Sequence, residues 1–324
     1  MQNFSKGKIR HICSVLPSKK VSNFDNPFFS EKDKQKIIKQ IGVETRYILD
    51  KDKNEKISEL FIKAAEATLE ALRWEKNTID AIIVLTQSNE FRYPAMACYI
   101  QGKIGLRKEN LIAFDVNLGC SGYVYALNIA YNYISNGLKR VLLLVGDASS
   151  ETILPDNRET AFLFGDGVSC TAVEAENSKS YFCFKTLGEG YDLIIAPYKD
   201  GYMQMKGIEV FDYTIRNIPL AFENILKLAN LTKEQISQFY FHQANSFVLN
   251  YLGNKLGISE KLPNNMLNFG NENSNSIPLL ICDLKNKNYK NVMLMGYGVG
   301  FSVATCILEE LDCTCNIIYN KLDK

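Results

Sequence analysis

Continuously apolar runs of strand length alternate along this chain with longer segments whose apolar positions recur at helical spacing. "DAIIVLT" reads as a strand, "YPAMACYIQGKIG" as a helix closed at Gly105, and "LIAFDV" as a second strand. The segment after Cys120 reads as a helix ending near "SNG", followed by the strand "RVLLLVGD". Because these strands are apolar throughout rather than alternating, both of their faces must be covered by helices, which predicts an α/β fold. A turn-rich stretch, "SSETILPDNRETAF", leads to the strand-like "LFGDGVSCTAVEAE". From about Ser180 a second series begins: "YFCFKTLG", the helix "EVFDYTIRNIPLAFENILKLANL", the strand "QFYFHQAN" and the helix "SFVLNYLGNKLGI". A loop then leads to "SIPLLICDLKN" and the pair "NVMLMGYGVGFSVATCILEE". The two series place strands and crossover helices in a similar order, which predicts two like halves, residues 1–175 and 176–324. No low-complexity linker parts them, so they are expected to form one compact unit with a site between them.

A length of 324 residues suits one large domain or two intimately packed halves. The 37 basic and 36 acidic side chains leave a formal charge of +1, which gives no field to draw the chain onto nucleic acid or an anionic membrane. Lysine-rich runs such as "EKDKQKIIKQ" read as a solvated helix face. The N-terminal "MQNFSKGKIRHICSVLP" has no signal-peptide core, and no run reaches the roughly 18 apolar residues that span a bilayer, so a cytoplasmic protein is expected. Nine irregularly spaced cysteines fit reduced thiols better than a disulfide framework. Cys313 and Cys315 have no histidine near them in sequence, and no metal site is predicted. There are only two histidines, His11 and His242, so any imidazole chemistry must use one of them.

Cys120 follows "DVNLG" and precedes the helix that opens with Ser121 and Gly122. A thiol at a helix N-terminus feels unpaired N–H groups and the positive end of the helix dipole, which favour thiolate and predict a lowered pKa. The alternative is a small buried side chain at a strand–helix junction. His242 stands where an apolar strand turns polar, as a reactive group or as a satisfied core histidine. Asn271 lies in the amide-rich "NFGNENSNSIP", which could equally be an ordinary polar turn. "GYGVGF" is followed by a strand rather than a helix, which excludes a dinucleotide fingerprint and leaves close backbone approach to a reacting group. In "FGDG", Asp166 is expected to cap backbone groups.

Taken together and at their separations, "DVNLGCSGYVYAL", "FGDG", "HQAN", "FGNENSNSIP" and "GYGVGFS" resemble the β-ketoacyl-acyl-carrier-protein synthase III family of the thiolase superfamily. The resemblance runs from "VETRYI" to the final strand. It implies a thiolase-like fold of two similar βαβαβ-type halves, packed as a five-layered α-β-α-β-α unit. It also implies a homodimeric acyltransferase that loads an acyl group from coenzyme A onto a cysteine and condenses it with a malonyl thioester, with an acyl carrier protein as a further candidate partner. Coenzyme A thioesters are then substrates, and no bound cofactor is needed. By the same resemblance Cys120 is the acyl acceptor, and His242 and Asn271 hydrogen-bond the malonyl thioester carbonyl. The N–H groups of Cys120 and Gly300 would form the oxyanion hole, and Tyr93 would close the acyl pocket of a partner copy. Arg46, Arg158, Gly207, Ile208, Phe211, Asn245 and Phe247 map to the coenzyme A and pantetheine path.

The family pattern is not matched everywhere. Lys36 and Gln40 stand where a tryptophan and an arginine commonly clasp the adenine, and the single tryptophan is Trp74, elsewhere in the chain. Phe247 stands where a basic residue is usual, and Asp212 is a poor match for an acidic carrier. A tyrosine at position 93 suggests a short or hydroxylated acyl group. Three other readings are set against the condensing enzyme. One is an acyltransferase to an oxygen or nitrogen nucleophile, and another is a structural subunit that has lost its chemistry. The third is a 3-hydroxy-3-methylglutaryl-type synthase, which would need a carboxylate base near Gln87 or Glu90.

Overall fold

The computed structural model describes residues 1–198, 201–284 and 289–321. Its strands are β1 (Gln2–Leu16), β2 (Lys19–Ser22), β3 (Thr45–Ile48), β4 (Ala81–Leu85), β5 (Ile112–Val116), β6 (Arg140–Ala148), β7 (Asp166–Thr186), β8 (Ile194–Ile195), β9 (Gln204–Met205), β10 (Gln238–Phe241), β11 (Tyr289–Gly298), β12 (Ser302–Leu311) and β13 (Thr314–Tyr319). The α-helices are α1 (Glu31–Ile41), α2 (Ile57–Leu72), α3 (Met96–Ile104), α4 (Gly122–Ser135), α5 (Gly207–Ala229), α6 (Ser246–Leu256), α7 (Met266–Phe269) and α8 (Ser276–Asp283).

Hydrogen bonding joins the main strands in the order β10-β11-β12-β7-β6-β4-β5, with β1 pairing both β7 and β13. Successive residues of each strand point to opposite faces, and here both faces are buried. Ile83 and Leu85 of β4 pack on α4, whereas Ile82 and Val84 pack on α2 and α3. In the second half Val292 and Leu294 of β11 join the α4 and α8 side, whereas Met293 and Met295 join α5 and α6. The resulting layers are α2 and α3, the first-half strands, α4 and α8, the second-half strands, then α5 and α6. This is the α-β-α-β-α stack that the family resemblance implies. It also explains why α4 is apolar around its circumference: Tyr123, Val124, Ala126, Leu127, Ala130, Tyr131 and Ile134 are all buried between the first-half and second-half strands.

One strand crosses the expected division between the halves. β7 runs unbroken through residue 175, pairing β6 from Asp166 to Glu174 and β12 from Ser180 to Thr186. The polar interval "EAENSKS" that reads as a break is its solvent-facing middle, still laddered to β1 at Asn177.

Candidate active site

Cys120 sits at the inner end of the central layer. β5 ends at Val116, the chain turns with Gly122 N–H donating to the Gly119 carbonyl (2.7 Å), and α4 then begins. The Ser121 hydroxyl meets that of Ser302 at 2.6 Å, tying the start of α4 to β12. Cys120 is 5% exposed, because the end of β11 lies directly over it. A Cβ on Gly298, whose φ is 147°, would stand 2.9 Å from the Cys120 Sγ, so only glycine allows this approach.

Two expectations change at the thiol. The first is its acidity: burial pushes Cys120 up to about 12, and the negative Asp147 adds to the rise, against the lowering effect of the Val299 and Cys120 N–H groups. Desolvation outweighs the helix end, so the resting form is the thiol rather than the predicted thiolate. The second concerns the last glycine turn: the N–H there that acts on Sγ belongs to Val299 rather than to the expected Gly300. Gly300, with φ 73°, lies one residue further round the turn. Cys120 and Val299 therefore supply the two N–H groups at the sulfur.

His242 is the first residue beyond β10, whose parallel pairing with β11 sets Phe241 opposite Met295. Its own N–H donates to the Met295 carbonyl at 2.8 Å, which holds it against the Gly298 end of the neighbouring strand. The imidazole is 2% exposed and stands edge-to-face on Tyr297 at 5.5 Å between ring centres. Burial lowers its pKa to about 3, with the Asn273 backbone acting weakly the other way, so the ring is neutral at physiological pH.

Asn271 enters the same space from a third direction. Its N–H donates to the Leu163 carbonyl (2.9 Å) and its carbonyl accepts from Gly165 N–H (3.0 Å), seating the turn on the segment that leads into β7. The side-chain Oδ1 accepts from Asn273 N–H at 2.9 Å, and Nδ2 donates to the Ala244 carbonyl at 3.3 Å. Ala244 N–H donates in turn to the His242 carbonyl at 3.0 Å, so the two polar side chains share one backbone junction. The turn is also tied to the first half: the Ser274 hydroxyl donates to Asp147 Oδ2 (3.1 Å), while Asp147 Oδ1 accepts from Gln87 N–H (2.6 Å) and the Thr86 hydroxyl (3.2 Å). Asp147, Tyr297, Val299 and Asn273 were not singled out in the sequence. Each lies inside a quoted stretch, Asp147 in "RVLLLVGD", Tyr297 and Val299 in "GYGVGFS" and Asn273 in "FGNENSNSIP", but nothing in its type marks it.

The remaining expected residues separate into an outer path and a structural set. Arg158 is exposed and pairs only loosely with Asp33, at 3.6 Å. Gly207 opens α5, Ile208 beside it is 85% exposed, and Phe211 packs on Phe247 (5.3 Å) and Tyr251 (5.4 Å) between α5 and α6. Asn245 caps α6 through Oδ1, which accepts from Val248 N–H at 2.8 Å. Tyr93 is 84% exposed. Arg46, by contrast, is a correction: it donates from Nε to Asn23 Oδ1 (3.0 Å) and from Nη1 to the Phe164 carbonyl (2.8 Å), so its guanidinium braces the interior rather than reaching for a nucleotide. Asp166 caps Leu49 and Ser150 N–H groups, as expected. His11 is held by Thr314 and Asn316 and takes no part in the site. Glu90 accepts from Ser58 N–H at the start of α2, which leaves the carboxylate-base reading without its base.

Comparison with known proteins bears on the fold and the family. The family description 3-oxoacyl-[acyl-carrier-protein] synthase III matches residues 114–189, and its C-terminal counterpart matches residues 226–309. A β-ketoacyl-[acyl-carrier-protein] synthase III of Acholeplasma laidlawii is 32% identical over 307 residues, covering 93% of this chain and 98% of its own. The enzyme of that name from Streptococcus agalactiae is 29% identical over 323 residues, covering 93% and 98%. The crystal structure of a 3-oxoacyl-(acyl-carrier protein) synthase from Burkholderia xenovorans superposes with a TM-score of 0.94 at 32% identity, covering 98% of both chains. With this extent of likeness, the chain belongs to the 3-oxoacyl-acyl-carrier-protein synthase III family and is an acyl-transferring condensing enzyme of the thiolase-like fold.

Proposed function

We propose that Cys120 carries the acyl group and that His242 and Asn271 stabilise the enolate formed from a malonyl thioester. Cys120 sulfur attacks the carbonyl of an acyl-coenzyme A, and the tetrahedral oxyanion rests on the N–H groups of Cys120 and Val299. The coenzyme A thiolate leaves with the proton that the cysteine gave up. The malonyl thioester then loses carbon dioxide, and its C–C electron pair moves into an enolate whose oxygen accepts hydrogen bonds from His242 and Asn271 Nδ2. Neutral donors suit this step, because a charged imidazolium would hand the carbanion a proton. The enolate carbon attacks the acyl–Cys120 carbonyl, the C–S bond breaks, and the sulfur leaves as thiolate and takes a proton from solvent to return to the resting thiol.

The observations that carry this reading are the Ala244 junction shared by His242 and Asn271, and the end of β11, where Tyr297 meets His242 edge-to-face and Gly298 lies against Cys120, with His242 held neutral by burial. The exposed Ile208 of α5 and Phe247 of α6, with the partly buried Phe211 between them, suit a pantetheine arm approaching there, with Arg158 toward the nucleotide or carrier end. Phe247 in place of a basic residue weakens docking of an acidic carrier, which favours a dedicated pathway over general fatty-acid initiation. The half-buried edge strand β5 and the exposed Tyr93 suit pairing with a second copy of the chain. Among the described residues no helix is long and apolar enough to cross a membrane. The free thiols suit the cytoplasm. The test is stoichiometry: a short acyl-coenzyme A with malonyl-acyl-carrier-protein or malonyl-coenzyme A should yield carbon dioxide and 3-oxoacyl product in equal amounts. Transfer of the acyl group to an alcohol or amine without carbon dioxide would instead establish the oxygen- or nitrogen-acyltransferase reading.

A further inference from the structure

Glu272 follows Asn271 directly and is 1% exposed. Its Oε2 accepts from Asn275 Nδ2 at 2.8 Å, and Oε1 has no hydrogen-bond partner among the described residues. The carboxyl occupies space that two glycines leave open. A Cβ on Gly165 would stand 3.2 Å from Oε1, and one on Gly167 would stand 2.2 Å from Oε2. These glycines flank Asp166 in the same segment that seats the Asn271 backbone. Behind Asn275 the polar chain continues, since the Ser169 hydroxyl donates to Asn275 Oδ1 and meets the Ser14 hydroxyl of β1 at 2.6 Å. A wholly buried carboxyl with one donor is costly, and nothing in the packing of the turn requires an acid there.

We propose that Glu272 is a positioning residue for the condensing reaction: its carboxyl, lodged between Gly165 and Gly167 and held by Asn275, fixes the 271–276 turn so that the Asn271 amide is aimed at the malonyl thioester. This rests on the assignment of Asn271 made above. The groups that face the carboxyl are Asp166 on β7, already bonded to Leu49 and Ser150, and Tyr47 on β3. Among the described residues the cation nearest this turn, Arg46 of β3, is directed to Asn23, Phe164 and the charge of Asp166. Burial, and after it Asp166, push the Glu272 pKa well above the usual carboxylate range against the lowering bond from Asn275, a direction that favours the neutral acid. Ionisation at alkaline pH would set two negative charges in one buried space and unseat the turn.

The experiment follows carbon dioxide release from malonyl-coenzyme A and malonyl-acyl-carrier-protein at saturation, together with acylation of Cys120 by acetyl-coenzyme A, from about pH 6 to about pH 10. The wild type, Glu272→Gln, Glu272→Ala and Asn271→Ala are compared. Acylation should stay within about twofold in all four, whereas Glu272→Ala should lower kcat for carbon dioxide release about tenfold or more. Glu272→Gln, which cannot ionise, should match the wild type near neutrality and keep its rate at alkaline pH, where the wild type declines. An alkaline decline shared by Glu272→Gln, or a wild-type kcat in folded Glu272→Ala, overturns the proposal. If Glu272→Ala does not fold, the pH comparison with Glu272→Gln decides alone. Full carbon dioxide release by Asn271→Ala would instead overturn the assignment of Asn271, whatever the Glu272 variants do.

Discussion

The N–H of Asn273 donates to Oδ1 of Asn271 at 2.9 Å. This bond occupies the acceptor end of the amide and leaves Nδ2, with its long 3.3 Å bond to the Ala244 carbonyl, as the end offered to substrate. Asn271→Asp keeps the bond to Asn273 but replaces the donor with a carboxylate oxygen. Carbon dioxide release from a malonyl thioester should fall by on the order of 10²-fold, the usual effect of removing one donor to a developing oxyanion. Acylation of Cys120, measured by intact mass, should persist.

Gly298 lies against the reactive sulfur more closely than any other residue could. In Gly298→Ala the methyl would stand 2.9 Å from Sγ, at a φ that L-residues rarely adopt. Overpacking and strain together should lower stability by about 1–3 kcal/mol. Thermal or urea unfolding would measure this, alongside loss of acylation by acetyl-coenzyme A. Unchanged acylation in this variant would mean that the sulfur works in a different position from the one described.

A thiol pushed up to about 12 has little thiolate at neutral pH. Because the thiolate is the nucleophile and the shift is upward, alkylation of Cys120 by iodoacetamide should rise about tenfold per pH unit through the neutral and mildly alkaline range. Peptide mapping against a Cys120→Ser background isolates the signal from the other thiols. No inflection from His242 should be superimposed between pH 5 and about 8, since burial holds that imidazole near 3. A plateau below about pH 8 would show that the helix end dominates desolvation after all.

Tyr93 is 84% exposed although aromatic, and β5 at the sheet edge is half-buried along its length. Light scattering should give a mass near twice the 36.7 kDa chain. In Tyr93→Ala the dimer should persist while the accepted acyl chains become longer, read from relative kcat/KM over acyl-coenzyme A thioesters. A monomer, or an unchanged chain-length profile, would remove Tyr93 from the acyl pocket.

That the strands are covered on both faces was legible in the chain, because "DAIIVLT" and "RVLLLVGD" are apolar throughout, whereas their five-layer stacking came with the family resemblance. The helix ends at Gly105 and the long α5 were also readable, despite Pro219 inside the latter. What local patterning hid was β7, whose polar centre mimics a linker, and β1, whose buried stretch carries Lys8, His11 and Ser14 and so does not read as an apolar strand. In the site, residue types pointed to Cys120, His242 and Asn271, but the state of each depended on burial. No sequence signal indicates that desolvation outweighs a helix dipole at Cys120, or that Val299 rather than Gly300 turns its N–H to the sulfur. Arg46 failed for a similar reason, since an arginine matching a motif can face inward as readily as outward.

The central claim is that one residue holds the acyl group while two others serve only the second half-reaction. Its most direct measurement is intact mass after mixing with acetyl-coenzyme A or another short acyl-coenzyme A, in the wild type, Cys120→Ser, His242→Ala and Asn271→Ala. One acyl adduct should form in all but Cys120→Ser, with carbon dioxide release from malonyl thioester lost in the His242 and Asn271 variants. Loss of the adduct in both of those variants, or its survival in Cys120→Ser, would contradict the account.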